Sequence, residues 1–404
     1  DYLPLLEKKG CVVNLAAYCG HSSVRTWVMG DEATRRAATP AEVEQMAVLV
    51  REAMAAGAVG FASSTSPAHN GAAGLPMPSR LASDDEQLAL IEAMGEAGRG
   101  VYMVTKGGQM PVSLLEQMSA RSGRPVMIAA LLHNSTNPGA VFDDLDAISA
   151  ANARGRPLLG QVSCCPLTMD FTLASPYPVE GLTSWKPALG LAGDALRRLL
   201  ADPGFREGVR AELASSTRFR LFNGEWDKVH VVETARAEHR ALEQLSLGEI
   251  AREGLFPGSK VAGRGGGAGR ATGGAGPGGG HRGDPLDVML DLALAEDLET
   301  IFTAQLLNSD EAAVARLLTH PHSLVSLSDA GAHLTFFNDA GFGLHLMGHW
   351  VRERGALTLE QAVHKLTAQS ADLFGFSDRG RIREGVAADL LLFDPATVGR
   401  GPKQ

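Results

Sequence analysis

The sequence predicts an α/β protein built as a (β/α)₈ barrel, and three observations carry that prediction. Apolar runs alternate with amphipathic helical stretches along most of the chain, the pattern of βαβ units and a parallel sheet. Two of the apolar runs deliver polar residues at their C-terminal ends, His133-Asn134 and Ser328-Asp329, where a barrel carries its chemistry. The length, 404 residues, suffices for one large α/β domain with decorations. An open doubly wound sheet is the alternative this pattern leaves.

The elements follow in order. Residues 12–18 form a short apolar run ending in Gly20-His21. Thr39-Pro40-Ala41-Glu42 opens a helix, with Thr as cap, Pro at the first helical position and Glu three residues after the cap; Gly57 stops it. Residues 58–62 read as a strand, followed by a long loop bearing His69 and Arg80. Ser83-Asp84-Asp85-Glu86 caps the next helix in the same way, and that helix ends near Gly98. Strands are expected at 101–104 and 126–132, then a helix over about 142–154 and a strand at 158–162. Later strand-like runs lie at 219–222, 301–307 and 324–327. Pattern alone does not separate the barrel's own strands from those that decorate it.

Two stretches break the rhythm. Residues 263–283 are more than half glycine, interspersed with Arg264, Arg270 and Arg282, and cannot bury a core. They are expected to form a flexible surface insertion within 255–283, and no GK[ST] ending supports a phosphate loop. The tail, Gly380-Arg-Ile-Arg-Glu-Gly385-Val-Ala-Ala-Asp389-Leu-Leu-Leu-Phe-Asp394, reads as a turn leading into one strand that leaves the barrel. The domain division expected is a partial barrel over 1–379 and the start of a small C-terminal β-domain over 380–404.

Composition narrows the function. With 37 basic against 46 acidic residues the net charge is -9, which argues against a nucleic-acid footprint. No apolar run is long enough to span a bilayer, and no signal peptide opens the chain, so a membrane partner is not expected. Cys11, Cys19, Cys164 and Cys165 make no CxxC pair, as suits a reduced cytoplasmic protein. Because the chain opens on Asp1 and its last residues directly follow a strand pattern, it reads as part of a longer protein.

The tail is similar to the G-x-[IL]-x-x-G-x-x-A-D-[LI]-x-x-x-D signature that closes amidohydrolase barrels. Five further stretches resemble the N-acyl-D-amino-acid deacylase (D-aminoacylase) family in its order and approximate spacing. They are Asn14-Leu-Ala-Ala-Tyr-Cys-Gly20-His21 with Arg25; Gly57-Ala-Val-Gly-Phe-Ala-Ser-Ser64; Met77-Pro-Ser-Arg80; Ile128-Ala-Ala-Leu-Leu-His133; and Leu327-Ser-Asp329-Ala-Gly-Ala-His333. The resemblance covers nearly the whole chain outside the glycine-rich stretch. It implies a barrel of the metal-dependent hydrolase type, a linear N-acyl-D-amino acid as substrate, and one or two Zn²⁺ or other divalent ions. It also implies subunit association, that is, a homo-oligomer.

The departures from the family are as informative. The family's first barrel strand ends in His-x-His and its second supplies a Cys ligand, and neither is present. About two strands are therefore expected before Asp1, and the chain as it stands is expected to bind zinc weakly and to be inactive. A family His in a T-H-x-R-like segment is replaced here by Val104-Thr105-Lys106-Gly107-Gly108. Lys106 either takes its place, becomes a carbamylated bridging ligand, or is an ordinary lysine near the mouth.

Amide hydrolysis needs a nucleophile at neutral pH and a group to take up carbonyl charge, and a bound Zn²⁺ supplies both. His133 and Asp329, at strand ends of one face, fit the ligand requirement. The resemblance further makes Asp329 the group that takes the water's proton and returns it to the leaving nitrogen. It places His69 at the substrate pocket and makes Arg80 the fork for the substrate carboxylate. His21, Arg25 and His333 match family motifs as substrate-binding residues or as supports for their neighbours. His345 and His349 lack the Glu of an HExxH motif and read as structural or surface residues. Two alternatives remain: a cyclic amidohydrolase of the hydantoinase or dihydropyrimidinase kind, and a barrel that has lost its metal site.

Overall fold

The computed structural model describes residues 2–401 apart from residues 12, 68, 72, 73, 216–219, 257–282 and 329–340. The first half of the chain alternates strands and helices. It begins with α1 (Tyr2–Lys9), β1 (Cys19–Gly20), α2 (His21–Met29), α3 (Pro40–Ala55), β2 (Gly60–Ser64), α4 (Asp84–Gly95) and β3 (Val101–Thr105). It continues with α5 (Val112–Ser122), β4 (Val126–Ile128), α6 (Ala140–Ala153) and β5 (Leu158–Val162). A second unit then intervenes: β6 (Leu167–Phe171), α7 (Tyr177–Glu180), α8 (Gly193–Ala201), α9 (Pro203–Leu213), β7 (Val229–Glu233), α10 (Leu247–Glu253), α11 (Pro285–Ala295) and β8 (Ile301–Leu307). The chain returns through α12 (Glu311–Thr319), β9 (Ser323–Val325), α13 (Phe342–His345), α14 (Leu359–Leu366) and α15 (Ala368–Phe374).

The strands β1-β2-β3-β4-β5-β9 form one sheet, every neighbouring pair parallel and in chain order. This is the strand sequence of a (β/α) barrel, seen among the described residues as an open arc of six with β1 and β9 at its edges. The strand read over 12–18 shrinks to Cys19–Gly20, which pairs on one side only, although Ala17 still accepts the Val59 N–H at 2.9 Å. Gly60 opens β2 at φ 158°, where an added Cβ would lie 1.9 Å from the Val101 carbonyl oxygen; only glycine permits that approach.

The run at 301–307 is a strand, but not of this sheet. It is the centre of the antiparallel sheet β6-β8-β7. No strand forms at 220–222, and residue 219 lies outside the described residues, as do 257–282 of the glycine-rich stretch. The strand expected in the tail is also missing among the described residues. Among the described residues no strand pairs with 386–394, and Leu390, Leu391 and Leu392 stay exposed.

Two separate apolar cores match the two sheets. The first packs α3, α4, α5, α6 and α12 onto the outer face of the parallel sheet through Met46, Val50, Phe61, Ile91, Leu115, Ile148 and Leu317. The second lies within 167–307 around Trp185, Phe302 and Leu290. Inside the arc, Val101, Met127 and Leu324 meet Tyr18, Met103, Leu373 and Phe374, so α15 fills the concave side. Among the described residues no helix is long and apolar enough to cross a membrane.

Candidate functional site

All six parallel strands end at one edge, so the residues that follow them share a mouth. β2 shows how the sequence divides its labour there. Consecutive side chains of a strand point to opposite faces, and Ser63 and Ser64 each meet a histidine. Ser63 Oγ lies 2.8 Å from His21 Nδ1 on the helical side. Ser64 Oγ lies 2.7 Å from Nδ1 of the exposed His69 at the mouth.

His21 and Arg25 stand one helical turn apart on α2, both buried, and both turn to Glu86 on α4. His21 Nε2 is 2.9 Å from Glu86 Oε1, and Arg25 Nη1 contacts both carboxylate oxygens. Burial pushes the His21 pKa below its ordinary value, outweighing the nearby carboxylate. Burial alone would raise Glu86, but hydrogen bonds from His21 and Arg25 dominate and hold its carboxyl below the ordinary range. Ser83 caps α4 by accepting from Glu86 N, yet the Glu86 side chain does not complete a capping box because this pair has claimed it. His21 and Arg25 thus brace α2 against α4 rather than reach a substrate. The sequence reading missed Glu86, although two basic groups on one buried helix face call for a carboxylate.

Arg80, on the short 3₁₀ turn Pro78–Leu81, approaches His69. Its Nη1 donates to His69 O at 3.0 Å and to Asn70 Oδ1 at 2.5 Å. Its Nε and Nη2 make no hydrogen bond among the described residues. A chain of serines fixes this loop: Ser79 N donates to Ser22 Oγ, Ser22 Oγ to Ser79 Oγ, and Ser79 Oγ to Ser64 O. Farther along the mouth, Gln161 Nε2 donates to Ser326 Oγ at 3.0 Å, linking β5 to β9.

His133 is buried after β4, its ring 6.5 Å from that of Phe142. Its backbone is gripped by Asn308, which the sequence reading also passed over: His133 N donates to Asn308 Oδ1 at 2.8 Å and Asn308 N to His133 O at 2.9 Å. Lys106, the further ligand expected beside His133, pairs its ammonium with Asp144 on α6 at 3.0 Å. Asp329 and His333 lie outside the described residues. Among the described residues no three His, Cys, Asp or Glu side chains are grouped to hold a metal ion. His349 is held between Glu311 and Glu353, each at 2.9 Å, with the His345 ring stacked on it, a surface cluster as expected.

A parallel sheet in chain order, with its polar residues gathered at one edge, is the arrangement of a β/α barrel. Residues 230–404 match the amidohydrolase family. It is similar to the N-acyl-D-aspartate deacylase of Alcaligenes xylosoxydans xylosoxydans, 26% identical over 408 residues, covering 98% of this chain and 62% of the relative. The D-aminoacylase of the same organism is 27% identical over 408 residues, with 98% and 64% covered. Among solved structures, the N-acyl-D-glutamate deacylase of Bordetella bronchiseptica, complexed with zinc and a phosphonate inhibitor, superposes at TM-score 0.60. It shares 21% identity over 98% of this chain and 66% of its own. A D-aminoacylase described with a binuclear metal center gives TM-score 0.57 at 23% identity, covering 99% and 66%. At such identities the structures show a common fold, and the chain spans less than two thirds of the length of these relatives.

Proposed function

We propose that the mouth of the parallel sheet serves metal-dependent hydrolysis of a linear amide, namely deacylation of an N-acyl-D-amino acid to a carboxylate and a free amino acid. The amidohydrolase match over residues 230–404 supports the reaction class, and the named relatives support the substrate. The observation that carries the reading is Arg80. One nitrogen of its guanidinium is anchored at the mouth by His69 and Asn70, and the rest of the fork remains available to a carboxylate.

The described residues do not by themselves fit a metal ion, so no step is routed through one. A divalent ion, zinc in this reading, needs ligands beyond them, with His133 as one contributor and Asp329 as ligand and proton carrier. The cyclic-amidohydrolase alternative fares worse. It requires a carbamylated Lys106, which would set a new negative group against Asp144.

The test is calorimetric binding of an N-acetyl-D-amino acid and its carboxamide to the chain and to Arg80→Ala. A charge-assisted hydrogen bond contributes about 1.5–3 kcal/mol, so the acid should lose about 10- to 100-fold in affinity and the carboxamide little. Equal losses for both ligands remove Arg80 from carboxylate recognition and the reading with it.

A further inference from the structure

We propose that Gln161 is a specificity-determining residue of the mouth, whose side-chain carbonyl accepts the N–H of the substrate amide and so selects amides over the matching esters. This role rests on the linear-amide function proposed above.

Strand parity places the residue. Successive side chains of a strand face opposite sides of the sheet. Val101, Met103, Met127 and Leu324 face the inside of the arc, where Leu373 and Phe374 of α15 fill it. Gln161 pairs with Leu324, and it stands two residues beyond Leu159, the partner of Met127. It therefore shares their inner face, one layer nearer the strand ends than Met127, while Val162 beside it packs into the outer core. The same parity turns Thr105, its partner Ser64 and, two residues beyond Leu324, Ser326 to the inside. The lining of the arc thus changes from apolar to polar within one layer, and Gln161 stands at the change.

Its contacts then set which way the side chain runs. Gln161 is only 9% exposed, and its Nε2 donates to Ser326 Oγ at 3.0 Å. Ser326 lies nearer the mouth than Leu324, so the side chain climbs toward the opening and away from the α15 plug. The backbone beneath it is held as well, since Leu131 N donates to Gln161 O at 2.8 Å. The carbonyl Oε1 accepts no hydrogen bond among the described residues. Such an oxygen can only accept, whereas the hydroxyls of Ser64, Thr105 and Ser326 turn to donate or to accept and discriminate less. A substrate N–H that leaves water for this layer needs an acceptor, and Oε1 supplies one. An ester oxygen in the same place would set lone pairs against lone pairs, the kind of mismatch by which a polar site rejects an analogue.

The test is calorimetric binding of N-acetyl-D-alanine and of O-acetyl-D-lactate, which differ only in N–H against O, to the full chain and its variants. Wild type should prefer the amide by about 3- to 10-fold, the worth of one neutral hydrogen bond. Gln161→Met, close in shape but without the carbonyl, should lose that preference. Gln161→Glu keeps an acceptor and should retain the preference, though its charge weakens both ligands alike. A wild type that binds both ligands equally overturns the proposal without recourse to any variant. So does a preference that survives in Gln161→Met, or an equal weakening of both ligands there, as an amide turned to donate to the acyl carbonyl would give. In each of these cases the amide still binds, and the deacylase reading stands. Failure of the wild type to bind either ligand overturns both.

Discussion

At the scale of single residues, the buried trio of His21, Arg25 and Glu86 has more at stake than any surface ion pair. Side-chain exposure is 0–1% for all three, so a charge left behind has no solvent to return to. Glu86→Gln removes the countercharge and strands Arg25, and the expected cost is about 3–5 kcal/mol in urea denaturation. The pH dependence follows from both shifts. Glu86, depressed in the fold, contributes stability that is complete above the ordinary carboxyl range and is lost as pH falls through its lower folded value. His21, also depressed, costs stability once the unfolded imidazole protonates, below about pH 6.5. Glu86→Gln removes only the carboxyl's part, so below the ordinary carboxyl range wild type should lose stability more steeply than the variant. Equal limbs in the two proteins would mean the trio is not the acid-sensitive element.

At the scale of elements, α14 places Lys365 beneath the start of β9. The lysine is buried, and its ammonium reaches Ser323 O at 3.1 Å, His320 O at 3.3 Å and Ser323 Oγ at 3.3 Å, with no carboxylate partner among the described residues. Burial lowers its pKa to about 8. Below that value the folded state carries a charge it solvates poorly, and the penalty is complete; it is relieved as pH rises from about 8 to the unfolded value near 10.5. At 1.36 kcal/mol per pKa unit the relief amounts to at most about 3 kcal/mol. Wild type should therefore gain stability relative to Lys365→Met across that alkaline window, measured as the difference in denaturation midpoints. A constant difference would show that the lysine titrates normally.

Elements of this kind also show what the sequence could and could not tell. Helix starts were legible because capping is local: Thr39 and Glu42 form the capping box their spacing calls for. The allocation of strands to sheets was not, since a strand's partner is set by tertiary contacts. The signal for β8 was nevertheless present. Phe302, Ala304 and Leu306 are buried and alternate with Thr303 and Gln305, the period of an antiparallel sheet with one wet face, whereas β4 is buried throughout. The tail strand failed for the same reason in reverse, its pattern being apolar but its partner missing from the described residues. Of the site, the sequence placed His69 and Arg80 on one loop after β2. It could not name Ser64, Glu86 or Asn308, because their roles exist only once distant segments meet.

At the scale of the whole molecule, the question is how two cores with different sheets act as one body, and Asn308 answers much of it. It stands where β8 leaves the second core and the chain turns back toward the parallel sheet. Its backbone adopts φ 56°, a left-handed conformation that asparagine tolerates better than most residues. Its side chain accepts from His133 N at 2.8 Å and donates to Ser163 O at 2.9 Å, so one residue ties the ends of β4 and β5 to the second unit. Leu132, beside His133, packs against the second core and makes the joint partly apolar. Asn308→Ala leaves a buried N–H and a buried carbonyl unpaired, at about 1–3 kcal/mol each, and gives up asparagine's tolerance of the left-handed region, at about 1 kcal/mol. The expected loss is roughly 3–7 kcal/mol, with Asn308→Gly milder by about 1 kcal/mol because it keeps the backbone freedom. The same change should speed amide exchange at His133, whose N–H loses its acceptor, while amides inside β2 and β3 keep their protection. A loss below about 1 kcal/mol with unchanged His133 exchange would mean the two units are held by packing alone, and His133 would then owe its place at the mouth to its own strand.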